Sequence, residues 1–323
     1  MPLALFFFLG GLIALTLAAD RFVLSAARLS KALGLSPILI GALVIGLGTS
    51  APEMLVSGLA AGRGEIDIAI GNVVGSNTAN LTLVLGSTAM VATIVSRMST
   101  IIREGVLMLA AMGVATLLLW NLELTRIEAG GLALGMLVAA CLLVRWARSE
   151  LLPIEMAEGG ESEPGQTGSE EAEPAEVIRV GIESAIGLGT LLVTLLGADL
   201  LVRGATRMAD ELGISAAFVG LVIVSVGTSL PELATALAAA RRNETDLVLG
   251  NVVGSNLFNT LAVLGIAGLA GPGSVSGEFK GAIIYMLITA AIAGLFVVTG
   301  RRLERWQGAV LLALFMGFVA LTA

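Results

Sequence analysis

The sequence contains no histidine, a single cysteine and few charged residues for its length. Charged residues make up 13% of the 323 positions, about half of the quarter that is typical of soluble domains. The lack of histidine excludes haem, histidine-zinc sites and Ser-His-Asp catalysis, and Cys141 alone cannot form an internal disulfide. With 56% hydrophobic residues and a mean hydropathy of +0.96, the composition excludes a soluble enzyme, a nucleic-acid-binding protein and a secreted disulfide-rich domain. It predicts an integral membrane protein.

The apolar residues lie in runs that suit membrane-spanning helices of about 20 residues. We predict spans at 3–20, 37–61, 67–93, 105–121, 127–146, 180–200, 216–240, 247–271, 280–299 and 304–322. No basic residue precedes the first run, so we interpret it as a span and not as a signal peptide. The expected fold is an all-α integral membrane protein with ten transmembrane helices, five on each side of a hydrophilic segment.

That hydrophilic segment, residues 150–178, is acidic. It holds nine glutamates and no basic residue between Glu150 and Glu176, together with several glycines and prolines. This composition is typical of a disordered linker, and a calcium-regulatory role is the alternative. With the N-terminus outside, 13 of the 18 lysines and arginines fall on the cytoplasmic side, as the positive-inside rule favours. We therefore expect a multi-pass protein of the cytoplasmic (inner) membrane, with both termini outside and the linker in the cytoplasm.

The two halves of the chain repeat each other. A shift of 179 residues aligns residues 19–86 with 198–265 without a gap, and about 30 of these 68 positions are identical. Because each half has an odd number of predicted spans, the halves enter the membrane from opposite sides. The sequence thus predicts two inverted five-helix repeats, at 1–149 and 179–323, with their motifs at 41–86 and 220–265. Inverted repeats are typical of transporters whose substrate site lies near the midplane.

One glutamate in each half lies deep inside a predicted span. Glu53 and Glu232 each fall about sixteen residues into their span, where a carboxylate is costly unless it is paired or ligated. No lysine or arginine lies at a comparable depth, so a cation is the expected partner, and a protonated structural acid is the alternative. Each glutamate follows a proline that cannot donate to the carbonyl four residues earlier. The carbonyls of Gly48 and Gly227 are therefore expected to be free, and glycine there eases bending.

Hydroxyl and amide side chains accompany these glutamates in both halves. They are Thr49, Ser50, Ser76, Asn80, Thr228, Ser229, Ser255 and Asn259. The serine and asparagine of the third and eighth spans are four residues apart and share a helix face. An all-oxygen set of this kind is preferred by hard cations such as Ca²⁺, which takes six to eight ligands. The same spans carry glycines four apart, which favour close helix packing; these are Gly71, Gly75, Gly250 and Gly254.

These residues resemble the α-repeats of the cation/calcium exchanger superfamily, specifically its sodium/calcium exchanger branch. The motif G-T-S-x-P-E followed by G-N-V-V-G-S-N occurs in each half, at 48–53 with 71–77 and at 227–232 with 250–256. The calcium/proton branch is less similar, because its third helix typically carries a glutamate where Gly75-Ser76 stands. The resemblance implies that helices two, three, seven and eight enclose the ions, while helices one and six slide across them to alternate access.

The resemblance also implies a set of metal ligands. They are Thr49, Ser50, Glu53, Ser76, Asn80, Thr228, Ser229, Glu232, Ser255 and Asn259, with the backbone carbonyls of Gly46 and Ser225. For the carbonyls, the proline argument selects Gly48 and Gly227 instead. Well-known exchangers of this branch often have an aspartate where Asn259 stands, so this site has two carboxylates instead of three. Its formal charge of −2 is neutralised by one Ca²⁺, two Na⁺ or two H⁺, which makes two-for-one exchange at least as favoured as three-for-one.

We therefore expect a secondary antiporter, not an enzyme, that exchanges Ca²⁺ for Na⁺ by alternating access. Ca²⁺/H⁺ antiport is the alternative within transport, and a cation channel is the alternative of another class. The expected partners are the lipid bilayer and the transported ions. We expect no cofactor, no nucleic acid and no obligate protein partner.

Overall fold

The computed structural model describes residues 2–95, 98–158, 179–211, 225–277, 279–300 and 302–322. This part of the chain is almost entirely helical. Its helices are α1 (Pro2–Leu33), α2 (Pro37–Thr49), α3 (Ala51–Gly62), α4 (Ile66–Val91), α5 (Met98–Leu118), α6 (Arg126–Glu158), α7 (Val180–Glu211), α8 (Ser225–Thr228), α9 (Leu230–Arg241), α10 (Thr245–Ala270), α11 (Phe279–Gly300) and α12 (Arg305–Thr322). Among these residues, eight helices are long and apolar enough to cross a membrane, and the bent pair α2–α3 makes a ninth candidate.

The described helices overlap the predicted spans, but several of their ends differ from the prediction. The seventh predicted span, 216–240, begins outside the described residues, and its remaining part forms α8 and α9. Helix α1 continues beyond residue 20 to Leu33 and is about 48 Å long at 1.5 Å per residue. Its extra turns carry Arg21, Arg28 and Lys31, so hydropathy alone does not mark them as helical.

Helix α6 also runs further than expected. It continues to Glu158, so residues 150–158 are helical where the composition predicts a disordered linker. Glutamate and leucine are strong helix formers, and the helix that crosses the bilayer supplies the nucleus on which further turns add. The rest of the predicted linker, residues 159–178, lies outside the described residues.

Helices α4 and α10 form the centre of the molecule. In an apolar 18-residue stretch of each helix, 83% of α4 and 78% of α10 is buried inside the protein. The corresponding share is 22–39% in the other single-helix spans. Both helices carry the G-N-V-V-G-S-N motif, whose amides and hydroxyls are costly to place against lipid. Each is interrupted by a π-helical segment, Asn80–Val84 in α4 and Phe258–Val263 in α10. Segments of this kind occur frequently at functional sites.

Helices α1 and α7 pack along each other across the two halves. Near the start of α7, the Glu183 carboxylate accepts hydrogen bonds from Ser25 Oγ and Arg28 Nη1, both at 2.8 Å. At the opposite end of the pair the two backbones are in direct contact, because a Cβ at Gly204 would lie 2.4 Å from the Phe8 nitrogen. Hydrogen bonds at one end of the pair and close backbone packing at the other join α1 and α7 into a single unit.

Two short antiparallel ladders connect the ends of the helices. Strand β1 (Ile94–Val95) pairs with β4 (Arg302–Leu303), and β2 (Glu123–Leu124) pairs with β3 (Gly273–Ser274). The shift of 179 residues that relates the sequence halves converts the pair Ile94–Leu303 into the pair Gly273–Leu124. Both ladders therefore have the same register, and each joins a strand from one half to a strand from the other.

Candidate cation-binding site

The site begins at a break in two helices. Ser50 separates α2 from α3 with φ −81° and ψ 5°, and Ser229 separates α8 from α9 with φ −87° and ψ 5°. Helices α2 and α3 meet at an angle of 43°, which confirms the bend that the prolines predict. The break lies at the serine and not at the preceding glycine, because a proline, which has no N–H, is best accommodated in the first turn of a new helix.

This break sets the position of both glutamates. Glu53 and Glu232 lie in the first turn of α3 and α9, where the positive end of the helix dipole favours a carboxylate. Their exposed fractions are only 0% and 1%. The sequence places these glutamates deep in a span, and the structure adds that each one lies at the positive end of a helix.

The carboxylates have few partners within the protein. Ser50 Oγ donates to Glu232 Oε1 at 3.1 Å, a bond that joins the two halves directly. Among the described residues, neither the second oxygen of Glu232 nor either oxygen of Glu53 has a hydrogen-bond partner. A buried carboxylate without such partners is strongly unfavourable in a dry interior. Three carboxylate oxygens are therefore available to a bound cation.

The amides and hydroxyls of α4 and α10 show the same pattern. Ser76, Asn80, Ser255 and Asn259 are fully buried. Within the described part of the chain, the Ser76 hydroxyl and both polar atoms of each asparagine have no hydrogen-bond partner, while Ser255 Oγ donates to the amide oxygen of Asn251 at 3.4 Å. Asn80 begins one π-helical segment, and Asn259 lies in the other.

Both threonine hydroxyls beside the breaks donate hydrogen bonds. Thr49 Oγ1 donates to the Ile45 carbonyl at 2.9 Å, and Thr228 Oγ1 donates to Asn72 Oδ1 at 3.2 Å. The Ser229 hydroxyl is buried and has no hydrogen-bond partner in the described residues. Among the expected carbonyl ligands, Gly46 accepts from the Ser50 N–H at 3.1 Å, and the backbone of Ser225 begins α8.

Two further asparagines belong to this region, and the sequence reasoning missed them. Asn72 and Asn251 are buried and occupy equivalent positions of α4 and α10. Each hydrogen-bonds the backbone carbonyl of the glutamate in its own half and a threonine of the other half. Their repetition at the 179-residue shift was a signal for them, and so was their position four residues before Ser76 and Ser255, on the same helix face.

Glycines allow the bent helix to approach the central one. A Cβ at Gly254 of α10 would lie 2.3 Å from the Ala42 carbonyl oxygen, and one at Gly46 would lie 2.9 Å from the Ser255 nitrogen. Gly250 is equally close to α2, at 2.3 Å from the Ile38 carbonyl oxygen. The predicted packing role of Gly250 and Gly254 is therefore confirmed, and α2 crosses α10 beside Ser255.

The chain matches the sodium/calcium exchanger protein family over residues 3–147 and 184–323. It belongs to the sodium/calcium exchanger family. Exchange of Ca²⁺ for Na⁺ is therefore the activity of this chain, and the predicted relationship is confirmed.

Individual relatives agree along almost the whole chain. The putative antiporter CaxA of Alkalimonas amylolytica is 36% identical over 98% of this chain and 98% of its own length. The sodium/calcium exchanger MaX1 of Methanosarcina acetivorans is 30% identical over 96% of this chain and 95% of its own. Among solved structures, the sodium-calcium exchanger NCX_Mj soaked with Na⁺ and Sr²⁺ superposes with a TM-score of 0.83 at 29% identity, covering 98% of both chains.

The polar atoms around the two breaks include buried carboxylate, hydroxyl and amide oxygens. Oxygen is the donor that Ca²⁺ and other hard cations prefer. Within the described residues there is no group of three or more acidic, histidine or cysteine side chains that could hold a metal. A site with two carboxylates neutralises one divalent ion without excess negative charge.

Proposed function

We propose that Glu53 and Glu232 bind the transported Ca²⁺ directly and that Na⁺ replaces it at overlapping positions. The observation that carries this proposal is the burial of three carboxylate oxygens without a hydrogen-bond partner in the described residues. The remaining ligands are Thr49, Ser50, Ser76, Asn80, Thr228, Ser229, Ser255 and Asn259, with backbone carbonyls near the breaks at Gly46 and Ser225 or at Gly48 and Gly227.

The proposed architecture is ten transmembrane helices in two inverted five-helix repeats. The matched registers of the two ladders support it. The C-terminal caps of α3 and α9 support it as well, because they have the same geometry. Gly64 and Asn243 adopt φ values of 85° and 58°, and the backbone N–H groups of Glu65 and Glu244 each donate to the carbonyl five residues earlier at 2.9 Å. These caps are Schellman motifs, and they lie 179 residues apart.

Access alternates, in this proposal, by movement of α1 and α7 as one unit across the central helices. The bonds of Glu183 to α1 and the close contact at Gly204 support a joint movement. We place the protein in the cytoplasmic membrane with both termini outside and residues 159–178 in the cytoplasm, because this orientation puts 13 of 18 basic residues inside.

The charge of the site bears on the stoichiometry. Two glutamates and two neutral asparagines give a formal charge of −2, so two Na⁺ replace one Ca²⁺ without a net change. Three Na⁺ would leave +1 in a partly dehydrated cavity, which costs free energy unless water and carbonyls screen it. We infer that exchange of two Na⁺ for one Ca²⁺ is at least as favoured as three-for-one.

The activity is tested with purified protein in proteoliposomes by uptake of ⁴⁵Ca²⁺ under imposed Na⁺, K⁺ or H⁺ gradients. Saturable uptake that requires an outward Na⁺ gradient is the expected result. Uptake driven by a proton gradient alone would establish Ca²⁺/H⁺ exchange instead. Uptake that needs no counter-ion and does not saturate would indicate a channel.

A further inference from the structure

The two asparagines that follow the first glycine of the G-N-V-V-G-S-N motif connect the ligands of one half to those of the other. Asn72 of α4 has 6% of its surface exposed. Its amide nitrogen donates to Ser57 Oγ at 3.0 Å and, at 3.5 Å, to the carbonyl oxygen of Glu53, both in α3. Its amide oxygen accepts from Thr228 Oγ1, in the second half, at 3.2 Å.

Asn251 repeats this arrangement from the second half, with 1% of its surface exposed. Its amide nitrogen donates to the Glu232 carbonyl oxygen and to Thr235 Oγ1, both at 3.2 Å and both in α9. Its amide oxygen lies 3.5 Å from Thr49 Oγ1 in the first half and also accepts from Ser255 Oγ of its own helix at 3.4 Å. Each asparagine thus holds the bent helix of its own half by its nitrogen and a threonine of the opposite half by its oxygen.

The chemistry of a threonine ligand gives these contacts a role. A hydroxyl has one hydrogen and two lone pairs, so it can bind a cation through oxygen only when the hydrogen points to another acceptor. Asn72 Oδ1 is such an acceptor for Thr228. Thr49 uses a carbonyl of its own helix, Ile45, at 2.9 Å, with Asn251 as a second and more distant acceptor.

We propose that Asn72 and Asn251 are crossed positioning residues, which orient the threonine ligand of the opposite half and hold it in register with the glutamate of their own half. This inference rests on the proposed ligand set. It means that the two halves of the site bind an ion as one unit, because displacing either bent helix also moves a ligand of the other. Since the bond to Thr228 is the shorter one, replacement of Asn72 has the larger effect.

The test is a set of double-mutant cycles measured by Na⁺-driven ⁴⁵Ca²⁺ uptake in proteoliposomes. The matched pairs are N72A with T228V and N251A with T49V, and the mismatched control pairs are N72A with T49V and N251A with T228V. We expect N72A to raise the KM for Ca²⁺ about fivefold to tenfold, the effect of losing one hydrogen bond, with Vmax within about twofold of wild type. A matched double variant should then be no weaker than its T228V or T49V parent, whereas the effects in a mismatched pair should multiply.

Equal coupling in matched and mismatched pairs would overturn the proposal. So would a fall in Vmax at constant KM, because a role in folding alone reduces the amount of active protein and leaves ion affinity unchanged. If N72A or N251A does not accumulate as a folded species on size-exclusion chromatography, the smaller changes N72S and N251S take its place. Failure of these variants as well would assign both asparagines to folding and refute the proposal.

The ligand set on which the inference rests is checked in the same experiment. If T228V and T49V leave the KM for Ca²⁺ unchanged while the wild type transports, the threonines are not ligands and the proposed site is wrong. If the threonine variants weaken Ca²⁺ uptake but show no matched coupling to the asparagines, the site stands and only the crossed positioning fails.

Discussion

Replacement of Gly254 by alanine tests the close crossing of α10 and α2. The new Cβ would lie 2.3 Å from the Ala42 carbonyl oxygen and 2.6 Å from its Cα, both backbone atoms that cannot rotate away. Since Cβ contacts below 3.0 Å essentially do not occur, the helices must separate by about 0.7 Å. Overpacking of this kind costs about 1–3 kcal/mol. The higher helix propensity of alanine returns about 1 kcal/mol, which leaves a net destabilisation of up to about 2 kcal/mol.

The separation also reaches the candidate site, because Gly46 crosses at Ser255 on the same pair of helices. We therefore expect Gly254→Ala to lower the Tm of the detergent-solubilised protein by several degrees and to raise the KM for Ca²⁺. The matched control is Gly113→Ala in α5, where a Cβ meets nothing within 4 Å and the Tm should stay the same or rise. A Gly254→Ala protein with the Tm and KM of this control would refute the close crossing.

Four further variants test the site and the linker. Glu53→Gln and Glu232→Gln should each abolish Ca²⁺ exchange without preventing folding, because one remaining charge cannot neutralise a divalent ion and a neutral amide is easier to bury than a carboxylate. The control is Glu123→Gln, at an exposed position of β2. Near-normal Ca²⁺ flux in either site variant would exclude that glutamate as a ligand. Asn259→Asp should make Ca²⁺ flux depend more strongly on a membrane potential clamped with valinomycin, because each net charge moved across the membrane is worth about 2.3 kcal/mol per 100 mV. In the wild type, a flux that reverses at the potential expected for three Na⁺ per Ca²⁺ would contradict two-for-one exchange. Replacement of residues 159–176 by a Gly/Ser chain should preserve transport. Loss of transport would indicate regulation by the linker, and labelling of a cysteine placed at Gly165 from outside intact cells would contradict the proposed orientation.

The sequence was sufficient to locate the bent helices and their glutamates. Glu53 is conspicuous because a carboxylate in an apolar run has few structural reasons to be there, and Pro52 limits the helix before it. The position of the break was less predictable. Loss of one hydrogen bond to Gly48 permits bending over several residues, and the choice of Ser50 depends on how a new helix starts around the proline.

Contacts between the halves were beyond the reach of sequence patterns. Asn72 lies four residues before Ser76 and looks in the sequence like another polar residue of the motif. Its role depends on a hydrogen bond from Thr228, which is 156 positions away in the chain. The same holds for Glu183, whose partners Ser25 and Arg28 lie in the other half of the chain. Periodicity within one helix describes which face is polar, but it contains no information about which distant residue meets that face.

The two ladders bear on how a chain of this kind could originate. Neither half contains both strands of a ladder: β1 and β2 come from the first half, and β3 and β4 from the second. A half-length ancestral chain could therefore have formed both ladders only by associating with a second copy of itself, which the proposed inverted repeats would place in the opposite orientation. Joining the two copies in one polypeptide turns that encounter into an intramolecular one and greatly raises the effective concentration of the partner strands. In the fused chain each half became free to change its own sequence. Two positions that the 179-residue shift relates show such changes: Gly46 corresponds to Ser225, and Leu81 corresponds to Thr260.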